Sequence, residues 1–251
     1  MKAGFFGCGA GLLAKGMEDA GIEAIFGIDS DNNAYASFCK NFPNADVFLM
    51  DVRRIEQDGE PESLALKKLR EADVWAVTLP CQTFSHANQK RKENPELLYY
   101  ALYLIAHHKP KYWFIENVPN AAKWMPKVAD VKVFSMAQFG NKQQRKRMFW
   151  ANFDLGFIPH GTHSEPAVTK SGNGNARVYG YTDLKTALRR MGFEGKGLKL
   201  CGNQNEQKAQ LGEGVVYEFA YFIGKQLKQL EEVKRPIPPT AKAVGILGTF
   251  I

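Results

Sequence analysis

The sequence predicts an α/β fold with a doubly wound, mostly parallel sheet, and three observations support this prediction. Short apolar runs alternate with segments of helical periodicity in the first half of the chain, as βαβ units require. A glycine-rich turn, Gly7-Cys8-Gly9-Ala10-Gly11, joins the first apolar run to the first helical segment. The chain has 251 residues, of which 45% are hydrophobic and 24% charged. This is the composition of a globular domain, so a disordered chain is excluded.

The first half of the chain supplies strands and helices in alternation. The first helix carries Leu12, Leu13 and Met17, which are available for a face packed against a sheet. Pro43 ends the second helix, because proline cannot continue one. The strands are short apolar runs bounded by polar turns. The predicted strands are residues 3–6, 23–28, 46–50, 73–79 and 112–115, and the predicted helices are residues 11–20, 33–41 and 95–107.

The second half is expected to complete this domain around a small insert. Residues 132–136 and 148–152 predict a terminal hairpin, whereas residues 161–180 are rich in Gly, Ser, Asn and Thr and predict loops. Helices are predicted at residues 183–191 and 215–231. We therefore expect three parts, which are a main domain (residues 1–152 and 212–235), a small region (residues 153–211) and a C-terminal tail (residues 236–251).

Composition narrows the class of protein further. Lys and Arg number 33 against 26 Asp and Glu, and the net charge of +7 favours a polyanionic partner such as nucleic acid. The four cysteines form no C-x-x-C pair, so neither a zinc site nor a disulfide framework is expected. His107 and His108 end a helix, where a role at its C-terminal dipole is preferred to metal binding. We expect no metal, no membrane partner, and a cytoplasmic protein, since no signal peptide or apolar run of about 20 residues is present.

The glycine turn and two aspartates predict a nucleoside site. Glycines let the backbone approach a ligand, although a purely structural tight turn would look the same. Asp29 closes the second strand, where an acidic residue binds a ribose hydroxyl, and Asp51 closes the third, where a carboxylate can accept an adenine amino hydrogen. Leu12 occupies the last glycine position of G-x-G-x-x-G, which disfavours a pyrophosphate and permits S-adenosylmethionine.

A thiol and a carboxylate follow the next two strands. Cys81 lies in Leu79-Pro80-Cys81-Gln82, and Glu116 lies in Ile115-Glu116-Asn117. A lone cysteine here is often buried filler, and that alternative stays open. The carboxyl ends of parallel strands meet at one sheet edge, where ligands bind. A cleft with a thiol and a carboxylate supports covalent attack with proton donation.

Five motifs occur in the same order as in the cytosine-C5 DNA methyltransferases and resemble them. The chain resembles a small bacterial- or phage-like member of that family. They are Phe5-Phe6-Gly7-Cys8-Gly9, Pro80-Cys81-Gln82, Glu116-Asn117-Val118, Gln143-Gln144-Arg145-Lys146-Arg147 and Gly212-Glu213-Gly214-Val215. The sequence departs from the family pattern at four places, which are Ala10 for a glycine, Asp29 for a glutamate, Asn141-Lys142 for Val-Pro, and Glu213 for an asparagine. No arginine–glutamate motif precedes the last one, and the segment between Trp150 and Gly212 is short for a target-recognition domain.

The resemblance implies a Rossmann-like, S-adenosylmethionine-dependent methyltransferase that acts on a cytosine flipped out of duplex DNA. It implies that the Cys81 thiolate, its pKa lowered by nearby positive charge, adds to carbon 6 of the base. Glu116 would hold or donate a proton at N3, Arg147 would contact O2, and Arg145 would steady the thiolate and the backbone. Residues 153–211 would form the target-recognition region, and the protein would be a monomer with a restriction endonuclease as candidate partner in the host.

The resemblance and the turn pattern also assign binding residues. Those for S-adenosylmethionine are Phe5, Gly7, Gly9, Gly11, Asp29, Asp51, Val52, Pro80, Glu213 and Val215. Those for nucleic acid are Gln82, Ser85, Lys90, Arg91, Gln143 and Arg177. The basic stretch at residues 82–94 is either a loop that closes over the flipped nucleotide or an ordinary solvated loop.

Three alternatives remain. The first is the tRNA-methylating branch of the same family, which has little target-recognition domain. The second is a catalytically inactive DNA-binding relative, against which the intact Cys81, Glu116 and Arg147 argue. The third is a nicotinamide enzyme, which Leu12 and the thiol–carboxylate pair disfavour.

Overall fold

The computed structural model describes residues 1–57, 59, 62–82, 84, 94–127, 129–143, 145–156, 158 and 183–233. The strands among them are β1 (Lys2–Phe6), β2 (Glu23–Asp29), β3 (Asp46–Leu49), β4 (Val74–Val77), β5 (Tyr112–Asn117), β6 (Lys132–Ser135) and β7 (Lys146–Ala151). They form one sheet in the order β3-β2-β1-β4-β5-β7-β6. The predicted α/β fold is confirmed.

Strands β1 to β5 run parallel, whereas β7 is antiparallel to β5 and β6 is antiparallel to β7. The predicted hairpin is therefore present, although β7 begins at Lys146, two residues before the predicted start. β4 and β5 are buried along their whole length, which explains their continuous apolar sequence. The carboxyl ends of β1, β2, β4 and β5 meet at one edge of the sheet.

The helices are α1 (Leu12–Asp19), α2 (Asn32–Asn41), α3 (Glu62–Arg70), α4 (Glu96–His108), α5 (Leu184–Arg190), α6 (Gln204–Glu213) and α7 (Tyr217–Val233). α1 and α7 pack tightly, because small residues lie at their contact. A Cβ at Gly16 would come within 2.4 Å of the Ala220 Cβ, and one at Gly224 within 2.6 Å of the Ala20 Cβ. No helix within the described residues is long and apolar enough to cross a membrane.

Two helices, α3 and α6, are not predicted from the sequence. α6 has no apolar stripe, since nearly all its residues are polar. Its N-terminus is stabilised by a capping box instead, in which the Asn203 side chain accepts the N–H groups of Asn205 and Glu206, and Glu206 accepts the N–H of Asn203.

The described residues from 183 to 213 pack onto the same core as α1 and α7. Ala187, Met191 and Phe193 are buried in one apolar cluster with residues of both helices. The Asn41 side chain, at the end of α2, donates to the Lys199 carbonyl and accepts from the Lys199 N–H. Most of the second half of the expected target-recognition region is thus attached to the main domain.

Candidate active site

A cavity of about 820 Å³ opens at the carboxyl edge of the sheet, between the strand ends and α6. Many of the residues singled out from the sequence line it. These are Gly7, Gly9, Asp29, Pro80, Cys81, Gln82, Glu116, Arg147, Glu213 and Val215. The topology therefore brings the glycine turn, Asp29 and the predicted thiol–carboxylate pair to one space.

The three glycines of the first turn differ in what they face. All three have positive φ, at 63° for Gly7, 54° for Gly9 and 84° for Gly11. A Cβ at Gly7 would lie 2.7 Å from the Thr78 carbonyl oxygen, and one at Gly11 would lie 2.3 Å from Phe42 Cε2. A Cβ at Gly9 would meet nothing within 4 Å. Gly7 and Gly11 are thus required by packing, and Gly9 leaves room on the side of the cavity.

Asp29 is fixed by the backbone at the end of β2. Its Oδ2 accepts the N–H of Gly9 at 2.8 Å, and its Oδ1 accepts that of Asp31 at 3.0 Å. Burial raises the pKa of Asp29, and the two backbone hydrogen bonds oppose this. The carboxylate therefore joins the glycine turn to the start of α2 and presents a fixed acceptor to the cavity.

Four predicted cofactor residues do not line the cavity. The Asp51 carboxylate accepts hydrogen bonds from Arg53, whose guanidinium also pairs with Glu96 at 3.0 Å. This pairing lowers the pKa of Asp51. Phe5 and Val52 are buried in the apolar core. Gly11 lies beside the cavity, where its contact with Phe42 is structural.

Glu116 and Arg147 form a buried pair at the thiol end of the cavity. Arg147 Nε lies 2.8 Å from Glu116 Oε1, and both side chains are at most 10% exposed. Burial raises the pKa of Glu116, while Arg147 and Arg145 act in the opposite direction. Asn117, the next residue of β5, donates to the Leu79 carbonyl at 3.2 Å and so ties β5 to the segment that carries Cys81.

The expectation of a lowered thiol pKa is wrong for the free protein. Burial raises the pKa of Cys81, and Glu116 and Glu213 raise it further. Arg147 and Arg145 lower it but do not outweigh the burial. The positive charge predicted from the sequence is present, yet the thiol lies in a desolvated site lined by carboxylates.

Arg145 is hydrogen-bonded to the backbone at the end of α6. Its guanidinium donates to the carbonyl oxygens of Gly212, at 2.9 Å, and Gly214, at 2.5 Å. These carbonyls lie at the junction between α6 and α7, so a buried charge just before β7 holds the backbone on either side of Glu213. The contacts of Arg145 with backbone agree with the support expected for it.

Gln143 does not lie where a nucleic acid could contact it. Its side chain is fully buried and donates to the Arg190 carbonyl at 2.6 Å. Asn141, two residues earlier, donates to the same carbonyl and to Glu218. This pair holds the end of α5 against the domain, because buried amides need partners. The assignment of Gln143 to nucleic-acid contact is therefore corrected. Ser85, Lys90, Arg91 and Arg177 lie outside the described residues.

The sequence does not single out several other residues that line the cavity. Asn205, Glu206, Lys208 and Gln210 of α6 do so, as does Asp31. The one feature of the sequence that could have indicated them is that they lie close along the chain to Glu213 or to Asp29. Five carboxylates line the cavity (Asp29, Asp31, Glu116, Glu206 and Glu213) against two cations (Arg147 and Lys208). The cavity is acidic although the whole chain carries a net charge of +7.

A second group of polar side chains lies away from the cavity. Potential ligand atoms of Glu56, His107 and His108 lie within 4.8 Å of one another. The His108 Nε2 is hydrogen-bonded to Glu56 Oε1 at 2.8 Å, so two of these groups already satisfy each other. Burial lowers the pKa of His108.

Comparison with known proteins agrees with this geometry. Residues 5–125 match the family model described as C-5 cytosine-specific DNA methylase. The chain is 27% identical over 159 residues to the type II methyltransferase M.AgeI of Thalassovita gelatinovora, which covers 57% of this chain and 37% of that protein. It is 26% identical over 167 residues to M.NgoPII of Neisseria gonorrhoeae, covering 59% and 46% respectively. The chain thus spans less than half the length of these relatives.

The fold has close counterparts among solved structures. The Entamoeba histolytica methyltransferase EhMeth superposes with a TM-score of 0.66 at 15% identity, covering 94% of this chain and 99% of that one. At this level of identity the likeness concerns the fold alone.

Proposed function

Because this chain belongs to the C-5 cytosine-specific DNA methylase family, which its residues 5–125 match, we propose that it transfers a methyl group from S-adenosylmethionine to carbon 5 of cytosine in duplex DNA. One observation carries the proposal. Cys81, the buried Glu116–Arg147 pair and the Asp29–glycine turn line a single cavity. A nucleoside site at one end and a thiol with a proton-holding carboxylate at the other are what this reaction needs.

The residues present fit the methyl donor. S-adenosylmethionine supplies, when bound, a methyl group on a positively charged sulfur. An acidic cavity suits such a cation, and four carboxylates besides Glu116 line this one. Asp29 is placed to accept a ribose hydroxyl, and Gly9 leaves space for the ligand beside the turn. Pro80 and Val215 supply apolar surface on either side.

Cys81 makes carbon 5 of the cytosine nucleophilic. The bond from its sulfur to carbon 6 uses the thiolate's electron pair, and the electrons of the 5,6 double bond become available at carbon 5. The raised pKa of Cys81 in the free protein means that the thiolate is scarce until positive charge enters the cavity. After transfer, a base removes the proton at carbon 5. The double bond re-forms and Cys81 leaves as a thiolate.

Glu116 keeps negative charge from accumulating on the ring. Its raised pKa makes it easier to protonate than an ordinary glutamate, and the protonated acid can donate a hydrogen bond or a proton to N3. Arg147 fixes the Glu116 carboxyl through its Nε and carries positive charge toward O2 of the base. Arg145 supports the site indirectly, because it holds the backbone at Gly212 and Gly214.

The DNA has to deliver a single base into this cavity. A cytosine inside a duplex cannot reach a buried thiol, so base flipping is part of the proposal. Lys142 and Lys146 are exposed near the cavity strands and suit phosphate contact. Gln82 is the other described member of the proposed nucleic-acid residues, and it lines the cavity. We also propose a monomer, with residues 153–211 contributing to target recognition.

Methylation of tRNA is the second candidate, and one observation favours it. Part of the short recognition region is packed into the main domain, which leaves little protein to read a duplex. Transfer of a labelled methyl group to duplex DNA and to tRNA, measured side by side, distinguishes the two. Sequencing of methylated cytosines in a plasmid from cells that express the protein tests the DNA proposal. The proposal fails if the plasmid stays unmethylated while tRNA is labelled.

A further inference from the structure

A hydrogen bond joins the segment that carries the nucleophile to the end of α6 across the cavity wall. Gln82, the residue after Cys81, donates from Nε2 to Glu213 Oε1 at 2.6 Å. Both residues line the cavity. An amide donor fixes a carboxylate without neutralising it, whereas a lysine or arginine would cancel its charge. Glu213 is thus held by a neutral partner at the boundary between the two walls.

Glu213 lines the same cavity as Cys81 and Asp29, and its hydrogen bond to Gln82 places it beside the segment that carries the nucleophile. Its charge also raises the pKa of Cys81 and that of Asp29. In the proposed function, which this inference deepens, the donor has to present its methyl group to the base beside Cys81, and its sulfur would therefore lie in the cavity that Glu213 lines.

The sulfur changes charge during the reaction. It is a sulfonium cation in the donor and a neutral thioether in the product, because the electron pair of the broken sulfur–methyl bond stays on the sulfur while carbon 5 supplies the pair for the new carbon–carbon bond. A carboxylate beside it attracts the first and not the second. The family pattern that the sequence resembles has a neutral asparagine at this position, so the charge is a property of this chain.

We propose that Glu213, held by Gln82, is a specificity-determining residue that favours the cationic sulfonium donor over the neutral thioether product. Two consequences follow for the chain. The product is released more readily than it would be from a neutral site. The bound sulfonium also offsets the field of Glu213 at Cys81, so thiolate formation is coupled to the presence of the donor.

Binding constants for the donor and the product test the proposal. Calorimetry would give Kd for S-adenosylmethionine and S-adenosylhomocysteine with the native protein, Glu213→Gln and Glu213→Asn. Gln keeps an acceptor oxygen for Gln82, so the fold and the contact are preserved. We expect the preference for the donor to fall about tenfold in both variants, which corresponds to roughly 1.4 kcal/mol. Glu232→Gln, which removes the same charge from an exposed position on α7, is the matched control and should leave the ratio unchanged.

The outcomes separate this inference from the proposed function. If both ligands bind and the ratio is the same in Glu213→Gln as in the native protein, Glu213 does not select charge, and the methyltransferase proposal stands. An equal fall in Glu232→Gln also overturns the inference, because the effect would then be one of net charge. If the native protein binds neither ligand, the proposed function fails and the inference fails with it. Thermal unfolding of each variant checks that a lost affinity is not a lost fold.

Discussion

Arg147 Nε lies 2.8 Å from Glu116 Oε1, with both side chains buried at the thiol end of the cavity. Burial and the neighbouring guanidinium have opposite effects on the pKa of the Glu116 carboxyl. Burial raises the pKa of Glu116, and the guanidinium lowers it. The net effect is a raised pKa, so the pair keeps a carboxyl that is protonated more readily than an ordinary glutamate. This is the property that a donor to N3 of cytosine requires.

Replacement of Glu116 by Gln should lower the rate of the chemical step by about 10² to 10⁴, which is the usual loss for a general acid. Gln keeps the shape and accepts from Arg147 but has no transferable proton. Single-turnover methyl transfer is the measurement, with Glu232→Gln as control. Near-native turnover in Glu116→Gln would show that Glu116 has no such role.

The rate of methyl transfer should first rise and then fall as pH increases. The pKa of Cys81 is raised, so the thiolate fraction increases at pH values above the ordinary thiol value of about 8.5. Glu116 acts as the acid and is lost as pH rises through its raised pKa. Site-resolved alkylation of Cys81 with iodoacetamide against pH isolates the first process.

The same titration can be repeated in two variants. Arg147→Gln should shift the alkylation of Cys81 to higher pH, since Arg147 lowers the pKa of the thiol. Glu213→Gln should shift it to lower pH, since Glu213 raises it. A shift in the same direction for both would contradict the electrostatic account of this site.

Substitution of two glycines of the first turn should separate an effect on stability from an effect on ligand binding. Gly11→Ala places a Cβ 2.3 Å from Phe42 Cε2 at a φ of 84°, and we expect a loss of roughly 2–4 kcal/mol in the free energy of unfolding. Gly9→Ala has a similar φ but open space, and should lose only about 1 kcal/mol.

Gly9→Ala should nevertheless weaken S-adenosylmethionine binding, because its methyl group enters the cavity. Denaturant unfolding and calorimetry measure the two effects. Equal loss of stability in both variants, with unchanged affinity in Gly9→Ala, would show that the turn does not face the ligand.

Sequence recognition should be short, at about two to four base pairs. Ala187, Met191 and Phe193 are buried in the main core, so this part of residues 153–211 does not present those side chains to bases. Bisulfite sequencing of a random-sequence duplex library after methylation gives the site, with a library treated with Cys81→Ala as control. A single, fully specified hexamer would contradict this prediction.

Much of the site is predictable because it follows from strand order. Asp29, Cys81 and Glu116 each end a parallel strand or follow one closely, and such ends meet at one edge whatever the details of packing. The contribution of α6 is not predictable in this way. The helix is polar and has no apolar period, so nothing in its sequence indicates that Glu206 and Lys208 face a cavity.

Burial is the second quantity that the sequence does not provide. The arginines near Cys81 can be named from their motif, but the direction of the thiol's pKa depends on desolvation, which reverses the expected sign. Gln143 belongs to the same motif as Arg145 and Arg147. Its side chain donates to the Arg190 carbonyl in the core, a contact that depends on how the end of α5 packs against the segment before β7.

Covalent attack by Cys81 is the central claim, and trapping the adduct tests it most directly. A duplex that carries 5-fluorocytosine cannot lose a proton from carbon 5, so the enzyme should remain attached to the base after methyl transfer. Mass spectrometry should find one adduct per active protein, on Cys81, only when S-adenosylmethionine is present, and none with Cys81→Ala. An adduct on Cys8, Cys39 or Cys201, or methyl transfer to ordinary duplex without any trapped adduct, would contradict the account.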